Sequence, residues 1–140
     1  MAVHISPHLV FDGQCREAFT RYQEILGGKI VTMLSYGESP MAPQMDKKMH
    51  ARIVHATLAL DDGELTGVDL APDAYRKPAG FFVTLSFDSQ AKAEKVFHAL
   101  ALGGEVRMPF QTTFWSPGFG VVVDAFGVPW EINSGKPAQS

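Results

Sequence analysis

Cysteine is nearly absent: Cys15 is the only one in 140 residues, so no disulfide can close within the chain and no Cys-rich zinc module fits. A lone thiol also suits a reducing compartment. Charge is sparse and nearly balanced, with 12 Lys and Arg against 15 Asp and Glu, a net charge of −3. No basic block stands out, which argues against an electrostatic footprint for nucleic acid. No apolar run approaches the ~20 residues of a membrane span. The opening MAVHISPHLVF lacks the basic start and long apolar core of a signal peptide. A cytoplasmic protein without membrane or nucleic-acid partners is therefore expected. What the chain does have is 46% apolar residues, enough for one domain to bury a core without staples.

An internal repeat organises the chain. Sliding it by 76 residues lays LVFDGQ (Leu9 to Gln14) on LSFDSQ (Leu85 to Gln90), and Leu26-Gly27-Gly28 on Leu102-Gly103-Gly104. Each copy reads as a strand, a helix and a glycine stop. Cys15, Ala18, Phe19, Tyr22, Ile25 and Leu26 follow the helical apolar spacing, with Asp12 as the expected N-cap. Ala93, Val96, Phe97 and Leu100 do the same in the second copy, with Asp88 or Ser89 as cap. Strands are predicted at 29–36, 53–60, 64–70, 105–108, 120–123 and 128–133, with turns at Asp61-Asp62-Gly63 and Asp124 to Gly127. The fold class is thus α+β, two βαβββ modules in tandem. Module one covers about residues 1–70, a linker about 71–79, module two about 80–134, and a frayed tail 135–140. The segment from Gly37 to His50 carries Met41, Met45 and Met49 and reads as a lid over a ligand site.

Three stretches carry a family resemblance: ISPHLVFDGQCREAFTRYQEILGG, IVHATLALDDGEL and FQTTFWSPGFGVVVDAFGVPWEIN. They resemble the vicinal oxygen chelate superfamily of glyoxalase I, bleomycin-resistance proteins and extradiol dioxygenases, and within it the PhnB-like branch. The resemblance implies a cupped, barrel-like mixed sheet with helices outside, a homodimer and a small-molecule ligand. It also implies, in the metal-using members, two ligands per module, one from the first strand and one from the last. Carried onto this chain, those positions fall on Ser6, Gly67, Phe82 and Glu131, of which only Glu131 is a competent ligand. No cofactor is therefore expected at the family positions. A two-residue shift in the first strand would bring His8 onto the site, and His8, His55 and Glu131 would then form an alternative set for a divalent metal. PhnB-like proteins are often labelled as demethylubiquinone methyltransferases, but the chain has no Gly-rich Rossmann loop to hold S-adenosylmethionine.

The residues selected for chemistry are Glu131, His55 and His8, with near-neutral imidazoles and a carboxylate in an apolar strand suited to proton transfer. Tyr36, Phe82, Trp115, Phe119 and Trp130, together with Phe114, are the candidate walls of a ligand site, and packing between sheet and helix explains several of them equally well. His55 also reads as a hydrogen-bonded core residue, and Glu131 as a satisfied structural carboxylate. Cys15 lies on the apolar stripe of its helix, as a core thiol would. His4 and His98 read as surface residues, and His50 as solvated or part of the lid. Two functions remain open: an enzyme of lyase, isomerase or dioxygenase type acting on a small oxygenated or aromatic molecule, and a metal-free binding protein that sequesters one.

Overall fold

A computed structural model describes residues 2–135. The chain divides after Lys77 into two units with the same run of elements. The first holds β1 (His8–Phe11), α1 (Cys15–Leu26), β2 (Lys29–Ser35), β3 (Ile53–Leu60) and β4 (Gly63–Asp69). The second holds β5 (Val83–Phe87), α2 (Gln90–Ala101), β6 (Glu105–Gln111), β7 (Gly118–Val123) and β8 (Pro129–Ser134). The strand orders are β1-β4-β3-β2 and β5-β8-β7-β6, with the first strand of each unit parallel to its last and the other pairings antiparallel. This is the expected α+β tandem of βαβββ modules. The barrel-like closure is not found: each sheet is open, because the edge strands β1, β2, β5 and β6 each have a single ladder among the described residues.

Strand period decides what each face of a sheet carries. Leu9, Ala56 and Gly67 share one row of the first sheet, and that row faces α1, which buries Cys15, Ala18, Phe19 and Tyr22. Gly67 is glycine because the helix comes close: a Cβ there would lie 2.5 Å from Phe19 Cε1. Replacing Gly67 with alanine is expected to cost about 1–3 kcal/mol through overpacking, read as a lower urea midpoint; an unchanged midpoint would show that α1 can move away. In the second unit Gly120, Ile132 and Leu85 share the row facing α2, where Phe97 packs over Gly120.

The cap expected at Asp12 lies elsewhere. Gln14 is the N-cap of α1 and makes no side-chain cap bond. Instead Asp69, at the end of β4, reaches across: Oδ1 accepts from Gly13 N (2.8 Å) and Cys15 N (3.0 Å), and Oδ2 from Ile53 N (2.9 Å). Asp12 pairs with Arg52 at 2.8 Å. The second helix follows the local rule, with Ser89 Oγ accepting from Lys92 N. β6 runs three residues further than expected. Its ladder breaks between Met108 and Gln111, around Pro109, which has no N–H to give and is tolerated on this edge strand.

The Met-rich segment is folded rather than bare. Three 3-10 turns occupy Tyr36–Glu38, Ala42–Gln44 and Lys47–Met49, and Met49 is buried. Ser35 and Glu38 cap each other, and Gly37 N donates to His50 O, tying the start of the segment to its end. Within the segment Met49 thus packs into the core, Met45 is half-buried and Met41 is exposed. The tail from residue 136 lies outside the described residues.

Candidate functional site

The face of the first sheet away from α1 carries a connected polar cluster. His8 is in register with Thr66 and Thr66 with Thr57, while His55 stands two residues before Thr57 on the same face. His8 Nδ1 lies 2.6 Å from Thr66 Oγ1, and His55 Nε2 lies 3.2 Å from Thr57 Oγ1. The two imidazoles stack with centroids 6.2 Å apart and planes 24° from parallel. Both threonines are buried, and both imidazoles are open to solvent. Burial of the ring nitrogen, and then the neighbouring His55, holds His8 below the ordinary histidine value of about 6.5. His8 is accordingly neutral at pH 7.

That shift has a consequence for stability. The unfolded chain takes up a proton at a higher pH than native His8 does, so stability is intact above about 6.5 and falls as pH drops toward the native value. Urea midpoints measured from pH 7.5 to 5 should fall less in His8→Gln than in the wild type. Parallel slopes would show that His8 titrates normally.

In the second unit Thr84 of β5 is in register with Glu131 of β8, and Thr84 Oγ1 donates to Glu131 Oε1 at 3.0 Å. Glu131 is half-buried. Phe119 lies on the same face, two residues from Val121, the β7 partner of Glu131. Three rings climb outward from there: Trp115 meets Phe119 edge-on at 5.3 Å, and Phe114 meets Trp115 at 4.6 Å. Phe114 is 96% exposed. The 76-residue repeat makes Thr84 the counterpart of His8, so each unit joins its first strand to its last through a hydroxyl, His8 with Thr66 and Thr84 with Glu131.

Several expected site residues stand elsewhere. Trp130 is 0% exposed, on the α2 side of β8, and its Nε1 donates to Asp124 Oδ2 at 2.9 Å. It has no surface to offer a ligand, since it and Glu131 point to opposite faces. Tyr36 is buried, and its hydroxyl donates to the Asp69 carbonyl at 2.8 Å, so it serves as an anchor. Gly67 is on the helix face, which makes Thr66 the open-face partner of His8. Ser6 precedes β1 and donates to Glu64. Phe82 precedes β5 and is 46% exposed. His55 does come together with His8. Glu131 belongs to the second unit, where its partner is Thr84.

The paired first- and last-strand positions therefore hold one imidazole, one carboxylate and two alcohols. Alcohols are poor ligands for zinc-like ions, so these residues do not fit the four-ligand set implied by the resemblance. Among the described residues no three His, Cys, Asp or Glu side chains are grouped to hold an ion. Thr57, Thr66 and Thr84 were not singled out in the sequence; their alternation with apolar neighbours was the available signal.

Cys15 is fully buried, and burial, then the Asp69 carboxylate, push its thiol up to about 12 against the opposing pull of Arg16. Native protein should react slowly with a disulfide reagent at pH 8 and release one thiol per chain once unfolded. Rapid native labelling would refute the burial.

A model of the family described as 3-demethylubiquinone-9 3-methyltransferase matches residues 3–133. Protein YjdN of Escherichia coli (strain K12) is 33% identical over 137 residues, covering 92% of this chain and 93% of that protein. The crystal structure of protein PA1353 from Pseudomonas aeruginosa superposes with a TM-score of 0.88 at 40% identity, covering 95% of this chain and 98% of that one. The PhnB protein from Bacillus cereus superposes with a TM-score of 0.75 at 26% identity, covering 93% and 98%. Among the described residues no helix is long and apolar enough to cross a membrane.

Proposed function

Because this chain belongs to the PhnB-like family and has the glyoxalase/bleomycin-resistance/dioxygenase fold, we propose that it binds a small oxygenated or aromatic molecule on the open faces of its sheets. The observation that carries this reading is the cluster of His8, His55, Thr57 and Thr66. A stable fold has no need of two stacked imidazoles, each in contact with a buried hydroxyl, on a solvent-facing strand surface. Such groups can orient a ligand oxygen, while Trp115, edge-on to the buried Phe119, offers ring surface in the second unit. Methyl transfer draws no support from the fold. Two mixed sheets provide no doubly wound parallel sheet with a glycine-rich phosphate turn.

The test is a thermal-shift screen of small phenols, enols and oxyacids against wild type, His8→Ala and His55→Ala. Hits should raise the melting temperature of the wild type and lose their effect in either variant, whose own melting temperatures stay close to the wild type. Hits that survive both substitutions would move the site away from these residues.

A second reading is a metal-dependent enzyme of lyase, isomerase or dioxygenase type. It is favoured by one observation: the two side chains able to ligate, His8 and Glu131, belong to equivalent strand pairs of the repeat. Native mass spectrometry with added Zn²⁺, Ni²⁺, Mn²⁺ or Fe²⁺ separates the readings. One tightly held ion per chain, lost in Glu131→Ala, would establish the metalloenzyme, and its absence would leave the binding protein. The same spectra report the oligomeric state, for which the open sheet edges and the family resemblance support a homodimer.

A further inference from the structure

The cluster on the first sheet has a direction built into its hydrogen bonds. Thr66 Oγ1 stands between two partners, His8 Nδ1 at 2.6 Å and the Pro7 carbonyl at 3.2 Å. A hydroxyl has one proton to give. If Thr66 gives it to Pro7 O, which can only accept, then Thr66 Oγ1 is free to accept from His8 Nδ1–H and both short contacts become hydrogen bonds. If Thr66 instead gives it to His8 Nδ1, the contact with Pro7 O is lost and only one bond forms. The first arrangement satisfies more groups at a threonine that is 9% exposed, and its bonds run head to tail, each polarising the next. The main chain holds the carbonyl in place, since Thr66 N also donates to Pro7 O at 3.0 Å.

Resting on the reading of this face as the ligand-binding face, we propose that Thr66 locks His8 with its proton on Nδ1. Nε2 then presents a lone pair, and the site selects ligands that offer a hydroxyl donor, a phenol or enol, over carboxylates. Thr66 is a positioning residue: it acts through the ring it orients, as an outer-shell partner fixes the tautomer of a working histidine. A carboxylate would meet the Nε2 lone pair unfavourably, whereas an O–H group donates to it directly. The titratable neighbours on this face are His55 on β3 and Glu64 on β4, two residues before Thr66 and held by Ser6. His55 opposes a positive charge on His8 and so keeps the lone pair available. The second unit reverses the polarity, since Thr84 donates to Glu131 where Thr66 accepts from His8.

The test begins on free, full-length protein at pH 7.5, using long-range proton–nitrogen NMR of ring-labelled histidines assigned through His8→Gln. His8 should show a protonated Nδ1 and an unprotonated Nε2. Thr66→Val, which keeps the side-chain shape, should move the proton to Nε2, and Thr66→Ser should restore the wild-type pattern. A proton on Nε2 in the wild type, or an unchanged pattern in a folded Thr66→Val, would overturn the lock. Should the valine variant fail to fold, the wild-type tautomer alone decides. Phenol and benzoate are then titrated separately into the wild type. Phenol should shift His8 Nε2 and bind about tenfold more tightly than benzoate. Equal or stronger binding of benzoate would overturn the selectivity. With the lock confirmed, no response at His8 to either probe would overturn the ligand class and count against the binding-face reading, leaving the tautomer assignment standing.

Discussion

Asp69→Ala is expected to destabilise the protein by about 3–5 kcal/mol, since the substitution strands three backbone donors at about 1–3 kcal/mol each, with partial rescue by water. The carboxylate is 1% exposed and joins the start of α1 to the start of β3. It also supplies negative charge where the helix dipole is positive. Against a usual total of about 5–15 kcal/mol, that loss is large enough to leave the first unit partly unfolded at room temperature. Asp69→Asn should cost less, because an amide oxygen can still serve Gly13 and Cys15 while its NH₂ group opposes Ile53 N. Urea unfolding followed by circular dichroism orders the three proteins. A loss below about 1 kcal/mol in the alanine variant would mean that the donors find other partners.

Trp130→Ala should be at least as damaging, at about 3–5 kcal/mol for emptying a fully buried aromatic site. The indole fills the space beneath α2 and donates to Asp124, whose other acceptor positions take Phe126 N and Val128 N. Asp124→Ala removes three bonds at once and should cost about 2–4 kcal/mol. The double variant should be clearly less unstable than the sum, because both changes break the same bond. Strict additivity in a double-mutant cycle would show that indole and carboxylate act independently.

Asp124 and Trp130 also show where sequence reading succeeds and where it stops. The C-terminal string FW…GFG…D-x-FG-x-PWxIN is the most specific of the resembling stretches, and both Trp130 and Glu131 stand in it. Several of its positions serve the fold: Asp124 closes the turn, Gly127 takes a φ of 90°, and Trp130 of β8 plugs the core. One short string can thus hold core residues beside candidate site residues, and strand alternation separates them only once the face is known. The repeat made the order of strands and helices readable, because helix spacing and glycine stops are local signals. The α1 cap was not readable locally. Asp69 stands 54 residues from Cys15, and a carboxylate acting across a sheet has no signature beside the helix it caps. The error at Gly67 was one of register, since moving one residue to Thr66 changes the face.

The alternation within these strands keeps two kinds of work on separate positions. Residues facing α1 and α2 are fixed by packing so close that Gly67 and Gly120 admit no side chain. On the other face Thr57, Thr66, Phe119 and Val121 are buried, but His8, His55, Thr84 and Ser86 lie open to solvent and contribute little to the core. Ligand preference can therefore drift while the scaffold stays put, one half of the repeat drawing imidazoles to its open face and the other a carboxylate. For an engineer this makes positions 8, 55, 84, 86 and 131 a ready-made palette: a library varied there should remain largely folded while sampling new specificities, whereas the same diversity one residue along each strand would return mostly insoluble protein.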